Sequence, residues 1–382
     1  MRLLVFSPYY PPHIGGLETH SNEFNKYLAL NGADIVVFTP NIPTLTDCEE
    51  TTYDRVRIVR YPAFEIIPNY PVPKFWDFGF WKLFITLSRA DFDIVISRTR
   101  FFLSSLLALA YAKSQRVPLI HIEHGSDFVR LSSRFKTFFA KMYDRSFGRL
   151  VFRSSNINIS ISKAVQKFVE RFDERESPVI YRGLDFDAID ATTVHPSLRS
   201  RFPNKILLVT AARLYKWKGI EHVIGAIHRL PEELRSKITY LIIGDGEDFH
   251  RLEKLSQGLP VEMLGKLERP EVIGILKASD IYIHSSLPGG GLSTSLLEAM
   301  YCDCAVIATP NEGADEIISH NDNGMLIGSP SAEEIKKVLQ GLIPDEKNRK
   351  RLSTAAKESV RERFSWNASI EKYLRILKML QK

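Results

Sequence analysis

The first forty residues constrain the fold more than any other stretch. Residues 2–6 (RLLVF) are a short apolar run, and a Pro-rich loop follows that ends in Gly15-Gly16. A stretch from about Leu17 to Asn31 reads as a helix, stops at Gly32, and leads into the apolar run ADIVVFTP. Strand, glycine turn, helix, strand is a βαβ unit, and such units build parallel sheets. DIVISR (93–98), a helix over 101–113, PLIHIEHG (118–125) and INISIS (157–162) continue the alternation. A second series begins after Asp185 with KILLVTAARL (205–214) and a helix over 219–230. TYLIIGDG, VEMLGKL, DIYIHSS, AVIATP and GMLIG follow, most of them separated by helix-length stretches. The pattern predicts an α/β chain of two tandem Rossmann-like, doubly wound parallel-sheet domains, 1–183 and 184–363, facing each other across a cleft. In such folds ligands bind at the carboxyl ends of the strands. The tail from Trp366 to Leu380 reads as a basic amphipathic helix that periodicity assigns to neither domain.

A chain of 382 residues exceeds one ordinary core, in keeping with two domains. Its 44% hydrophobic and 25% charged residues are ordinary globular values and exclude extended disorder. Three cysteines, Cys48, Cys302 and Cys304, are too few and too odd for a disulfide framework and point to a reducing, cytoplasmic setting. Cys302-Asp303-Cys304 lacks the four ligands of a zinc site, so no metal is expected there. Pro8, Pro11 and Pro12 interrupt the N-terminal apolar run, unlike a secretory signal. The longest apolar stretch, Phe101–Ala112, falls short of the ~18 residues of a membrane span.

The net charge of +6 is unevenly placed. Residues 1–183 hold 24 Lys and Arg against 18 Asp and Glu, whereas residues 184–382 hold 27 of each. Between Arg98 and Arg153 there are 11 basic and 3 acidic residues. Such a stretch suits an anionic surface: nucleic acid, phospholipid or a phosphorylated acceptor. A nucleic-acid partner is not expected, because no recognised binding module is present. Within this region Phe135, Phe138, Phe139, Met142, Tyr143, Phe147 and Leu150 recur at three-four spacing, interleaved with Lys136, Lys141, Arg145 and Arg149. A single helix over 135–150 would be basic and aromatic, suited either to a membrane interface or to an ordinary core-facing position.

Five places could carry chemistry. Gly15-Gly16 lies between the first strand and first helix, where backbone N–H groups favour an anion. His124, followed by Gly125, sits just past a buried strand. Arg213 ends the first strand of the second series and Lys218 precedes Gly219; together they suit a diphosphate, one as a planar fork and one as a point charge. GDGEDF (244–249) is a strand-end Gly-x-Gly, a plain turn or a nucleotide contact. SSLPGGGLSTSLLEAM (285–300) places three glycines before a helix. There Glu298 reads either as a working carboxylate or, with Ser295, as a capping box.

Taken together, SPYYPPHIGGLETH, EHGSDF, ISISKAV, VIYRGLD, AARLYKWKG, IIGDGED, LGKL, LLEAM, NEGADEII and NGMLIG resemble, in order and spacing, the retaining glycosyltransferases of family 4 with the GT-B architecture. The resemblance implies transfer of a sugar from a nucleotide-diphosphate sugar with retention at the anomeric carbon. The basic stretch and the aromatic helix suggest a lipid-linked or membrane-borne acceptor at the cytoplasmic face of an anionic membrane, and no residue calls for a metal. The resemblance also implies that Gly15-Gly16 lie near donor phosphates and acceptor, and that His124 touches the transferred sugar. Arg213 and Lys218 would hold the diphosphate, and the backbone around Gly265 would receive the base; Gly244, in the strand-end Gly-x-Gly, is placed with the donor-binding set. The loop Gly290-Gly291-Leu292-Ser293 would lie where sugar and diphosphate meet the backbone, and Glu298 would accept from the ribose. The segment 364–382 would cross back to the first domain. Three departures stand out: Gly290 falls where the family has a first glutamate, Arg182 where it has Asn, and Asp303-Cys304-Ala305 where it has a glycine turn. Two other readings keep the fold: an epimerase or phosphorylase, and a non-catalytic nucleotide-sugar-binding protein.

Overall fold

The computed structural model describes residues 1–13, 15–67, 70–129, 134–288 and 292–381. The chain divides into two compact units, Met1–Gly183 with Trp366–Lys382, and Leu184–Ser365.

The first unit is built on β1 (Arg2–Phe6), β2 (Asp34–Pro40), β3 (Glu49–Thr52) and β4 (Val56–Tyr61), with β5 (Ala63–Ile67) and β6 (Tyr70–Pro73) as a separate hairpin. β7 (Ile94–Arg98), β8 (Leu119–Glu123) and β9 (Ile157–Ser160) complete a seven-stranded sheet of order β3-β4-β2-β1-β7-β8-β9. All pairs are parallel except β3 with β4. Alternation along β1 explains why both faces are apolar. Leu3 and Val5 join one buried cluster, Leu4 and Phe6 another, as a sheet covered on both sides requires. The covering helices include α1 (Gly16–Leu30), α2 (Phe78–Ser88), α3 (Leu103–Gln115), α4 (Arg134–Tyr143), α5 (Arg149–Ser154) and α6 (Lys163–Val169).

The second unit starts with α7 (Phe186–Ala191) and α8 (Leu198–Arg201) and is built on β10 (Ile206–Ala211), β11 (Ile238–Ile243), β12 (Val261–Gly265), β13 (Ile281–His284), β14 (Ala305–Ala308) and β15 (Met325–Leu326). Its sheet is wholly parallel, in the order β12-β11-β10-β13-β14-β15. Around it lie α9 (Ile220–His228), α10 (Glu232–Arg235), α11 (Phe249–Leu255), α12 (Arg269–Ala278), α13 (Thr294–Tyr301), α14 (Ala314–Ile317), α15 (Ala332–Leu342) and α16 (Glu346–Arg363). Strand order reverses beside β1 in one sheet and beside β10 in the other. Those reversals are the switch points at which open α/β sheets take ligands.

The last helix, α17 (Trp366–Leu380), belongs to the first unit. Trp366, Ile370, Tyr373 and Leu377 enter its core, with the Tyr373 ring 4.8 Å from Phe24 on α1. Glu23 Oε2 fixes the joint: it accepts from Trp366 Nε1 at 2.8 Å and from Arg182 Nη2 at 3.0 Å. A β-carbon on Gly183 would lie 2.4 Å from Trp366 Cα, so only glycine lets the outgoing and returning chain pass this closely. Arg182, the departure from the family's Asn, is thus a buried ion-pair partner at the crossing.

The helix expected over 135–150 is present as α4 and α5, joined without a break by one π-helical turn, Asp144–Gly148. Asp144 is fully buried and accepts from Arg100 Nη2 at 3.1 Å. The ladder widens where this carboxylate turns inward, the kind of place where single π turns occur. The core-facing reading of the helix's aromatic face fails: Ala140, Asp144, Gly148, Val151 and Phe152 are buried, while Phe135, Phe138, Phe139, Met142, Phe147 and Leu150 are exposed.

Candidate active site

In the second unit the chain leaves β10 through exposed Arg213 and makes a 3₁₀ turn, Lys216–Lys218, before α9. That turn is clamped. Leu287 N donates to Trp217 O at 2.7 Å and Ser285 Oγ donates to Lys218 O at 2.8 Å. Gly219 has φ of 63°, and a β-carbon there would meet Ser285 O at 2.3 Å. Lys218 Nζ lies 2.8 Å from both carboxylate oxygens of Glu312, beyond β14, and His284 Nε2 at the end of β13 is 3.2 Å from Glu312 Oε2. Burial opposes ionisation of Glu312, but Lys218 and His284 outweigh it and hold the carboxyl down at about 2. Glu312 adopts φ of 51°, unusual for a residue with a side chain, and its carbonyl accepts from Ser293 N at 3.0 Å.

The capping-box reading of Ser295 and Glu298 is overturned. The N-cap of α13 is Ser293, whose hydroxyl accepts from Leu296 N, and Ser295 instead accepts from the Tyr282 hydroxyl at 2.8 Å. Glu298 lies farther along the helix, nearly buried, and its Oε1 accepts from Arg269 Nε at 2.9 Å. Leu292 is buried, and a β-carbon on Gly313 would touch its Cδ1 at 2.8 Å. Gly290 and Gly291 lie outside the described residues. Gly244 has a local packing reason: a β-carbon would sit 1.9 Å from Ala212 O. Gly265, with φ of 70°, ends β12 facing open space.

In the first unit, Gly15 caps α1 in an extended conformation and Gly16 opens the helix. The start of that helix already holds an acid. Glu18 Oε1 is 2.6 Å from His13 Nδ1, and His13 stacks on Tyr9. At the ends of β7 and β8, beside the switch, Arg98 and His124 come together with His20 of α1. Arg98 is fully buried, donates from Nη1 to His20 Nδ1 at 2.9 Å, and lies over the Phe24 ring at 4.5 Å. Burial lowers its pKa to about 10. The His20 and His124 rings meet edge to face at 4.8 Å. Burial, and then Arg98, push the His124 imidazole down to about 3, so it is neutral at physiological pH. His124 Nε2, His20 Nε2, and Arg98 Nε and Nη2 are buried with no hydrogen-bond partner among the described residues.

Behind His124 stands Glu123, whose Oε1 accepts from His124 N at 2.9 Å, Gly125 N at 2.6 Å and Arg100 Nη1 at 2.9 Å. Burial alone would raise the Glu123 pKa; Arg100 outweighs it and drives the carboxyl well below its usual range. Sequence reasoning picked His124 and Lys218 but passed over Glu312, His284, Arg98, His20 and Glu23. Only the alternation of His121 with Glu123 along β8 gave a signal, and those side chains do meet, at 3.1 Å. Of the basic set, Lys141 and Arg145 lie over the Phe128 ring at 5.9 and 5.5 Å, Arg149 is exposed on α5, and Lys136 is in α4, its side chain outside the described residues. Cys302 and Cys304 are buried, and Cys48 is exposed.

Residues 14–188 match the family described as Glycosyltransferase Family 4, and residues 198–359 match Glycosyl transferases group 1. An uncharacterised glycosyltransferase of Methanocaldococcus jannaschii is 45% identical over 388 residues, which cover 100% of this chain and 99% of that one. The gpi3 subunit of the phosphatidylinositol N-acetylglucosaminyltransferase of Schizosaccharomyces pombe is 28% identical over 185 residues, 47% of this chain and 40% of that one. Among solved structures, HepE of Anabaena in complex with UDP-glucose superposes with a TM-score of 0.75 at 20% identity, covering 99% of this chain and 100% of that one. The chain belongs to the group 1 glycosyltransferases. It is an enzyme of sugar transfer with the GT-B fold.

Proposed function

We propose that the enzyme moves a sugar from a nucleotide-diphosphate sugar, with retention at the anomeric carbon, to a hydroxyl of a lipid-linked saccharide in glycan assembly at the cytoplasmic face of a membrane. The observation that carries this is Lys218, held at the second unit's switch point by Glu312 at 2.8 Å. A diphosphate entering there exchanges a carboxylate for phosphate oxygens around the same ammonium, with Arg213 on the adjoining strand end. As the bond from the anomeric carbon to the phosphate oxygen breaks, negative charge grows on the diphosphate, and a fixed cation stabilises it more than it stabilises the ground state. The nearby buried acids Glu298 and Glu312 already hold cations. The acceptor oxygen therefore attacks on the leaving group's face, and its proton passes to the departing phosphate oxygen. Neutral His124 offers a hydrogen bond to the sugar, and the Glu298 carboxylate accepts from the ribose hydroxyls.

UDP-glucose in the HepE complex supports a nucleotide-sugar donor, and the phosphatidylinositol in the name of the S. pombe relative supports a lipid acceptor. The exposed aromatic and basic face of α4 and α5 supports a membrane location. Turnover of a nucleotide-sugar panel with membrane extract, followed by NMR of the product anomer, tests the reading. Lys218→Ala should keep the circular dichroism spectrum and lose about 10²–10³ in rate. Near-normal turnover of that variant, or an inverted product, would overturn the assignment. Turnover should persist with a chelator; its loss would put a metal on the diphosphate instead.

A further inference from the structure

Helix α2 is apolar on two sides. Phe80 and Leu87 are buried, with Phe80 packed on Phe38 and Tyr61. The opposite stripe should be polar in a helix that merely covers a sheet. Instead Phe78 is 81% exposed, and Trp81 and Ile85 are exposed along the same stripe at positions three and seven residues on. Trp76, in the turn that leads into the helix, is 73% exposed. The charged residues sharing this stripe are cations, Lys82 and Arg89, both exposed. No acidic residue occurs between Asp77 and Asp91, and the Asp77 carboxylate is occupied as the helix N-cap, accepting from Gly79 N at 2.7 Å.

We propose that this stripe, Trp76, Phe78, Trp81 and Ile85 with Lys82 and Arg89, is a second membrane anchor that inserts into an anionic lipid surface. It deepens the membrane location proposed above and rests on it. Two tryptophans, a phenylalanine and an isoleucine whose charged helix neighbours are both cations match the chemistry of a phospholipid interface, with rings at the level of the headgroups and positive charge toward phosphate. A second copy of the chain fits poorly. A two-fold contact would bring two copies of a stripe whose charges, Lys82 and Arg89, are all positive into one interface, and like charges across an interface repel. The stripe is also joined to the α4 face by rings within the same unit. Trp76 meets Phe64 of the β5–β6 hairpin at 5.3 Å, and Tyr70 of that hairpin meets Phe101 at 5.2 Å. Phe101 meets Tyr143 at 5.6 Å, which touches Phe147 at 5.3 Å. Two anchors on one rigid unit bind with far higher avidity than either alone.

The test uses the full chain and vesicles of phosphatidylcholine with or without phosphatidylglycerol. Phe78→Ser with Ile85→Ser should weaken binding to anionic vesicles at least about tenfold, because each side chain withdrawn from lipid forfeits its apolar burial. Its thermal melting in solution should not change. Brominated lipid should quench tryptophan emission in the wild-type chain, and Trp76→Phe with Trp81→Phe should abolish that quenching. Lys141→Glu with Arg145→Glu serves as the control for the α4 face. If that pair alone loses binding, and bromine leaves the emission untouched, the α2 anchor is refuted while the α4 reading survives. Absence of vesicle binding by the wild type refutes both. Self-association that the Phe78 and Ile85 changes abolish assigns the stripe to a second copy and overturns the proposal.

Discussion

Lys218 and Glu312 each make the other possible: an ammonium and a carboxylate, both largely out of water, would be costly alone. The pairing has a pH signature. The folded Glu312 titrates at about 2, below the ~4.3 of an unfolded glutamate. Its contribution to stability is therefore complete above about 4.3 and is lost as pH falls through 2. Urea unfolding between pH 5 and 2 should show this dependence, and Glu312→Gln should flatten it. His124 works at a higher window. Its folded pKa of about 3 lies below the unfolded value near 6.5, so the neutral ring favours the fold above 6.5 and penalises it progressively as pH drops toward 3. An NMR titration should find the His124 ring uncharged throughout pH 5–8; a midpoint near 6.5 would remove Arg98 and burial as its controlling neighbours.

At the level of elements, the alternating series was legible because buried parallel strands are short apolar runs separated by helix-length stretches. RLLVF, the IVI of DIVISR and ILLVTA announce themselves this way. The region between 41 and 92 did not. β4 carries Arg57 and Arg60, and Arg60 is buried against Pro11 O and the Glu50 carboxylate, so a real strand reads as polar. The π turn was hidden because the partner of its buried Asp144, Arg100, lies 44 residues away in sequence. The candidate site was legible where one residue at a strand end carries the chemistry, as with Lys218, and illegible where a pair does, as with Glu312. The return helix α17 depends on such a pair. Glu23→Ala should lower stability by about 3–5 kcal/mol, since Arg182 loses its buried counter-charge. Gly183→Ala should lower it by about 1–3 kcal/mol or more through overpacking on Trp366. Chemical denaturation of each variant measures both.

On the scale of the whole molecule, the two units are unlike in continuity. Residues 184–365 form one uninterrupted unit, whereas the first unit needs the last helix to fill its core. A chain ending at 365 should therefore keep a cooperative transition for residues 184–365. Its first unit should lose its own transition and bind a hydrophobic dye, because Trp366, Ile370, Tyr373 and Leu377 leave the core together. Calorimetry of the truncated and complete chains separates these outcomes.

The joint between Glu23 and Trp366 spans 343 positions of sequence. A ribosome makes residues 1–183 well before residues 366–380, so the first unit is finished only after the second has been made. Until α17 emerges from the exit tunnel, the newborn first unit carries an uncovered apolar groove where that helix will lie. Its quality control is thus coupled to that helix: a product cut short before Trp366 exposes the groove to chaperones and proteases.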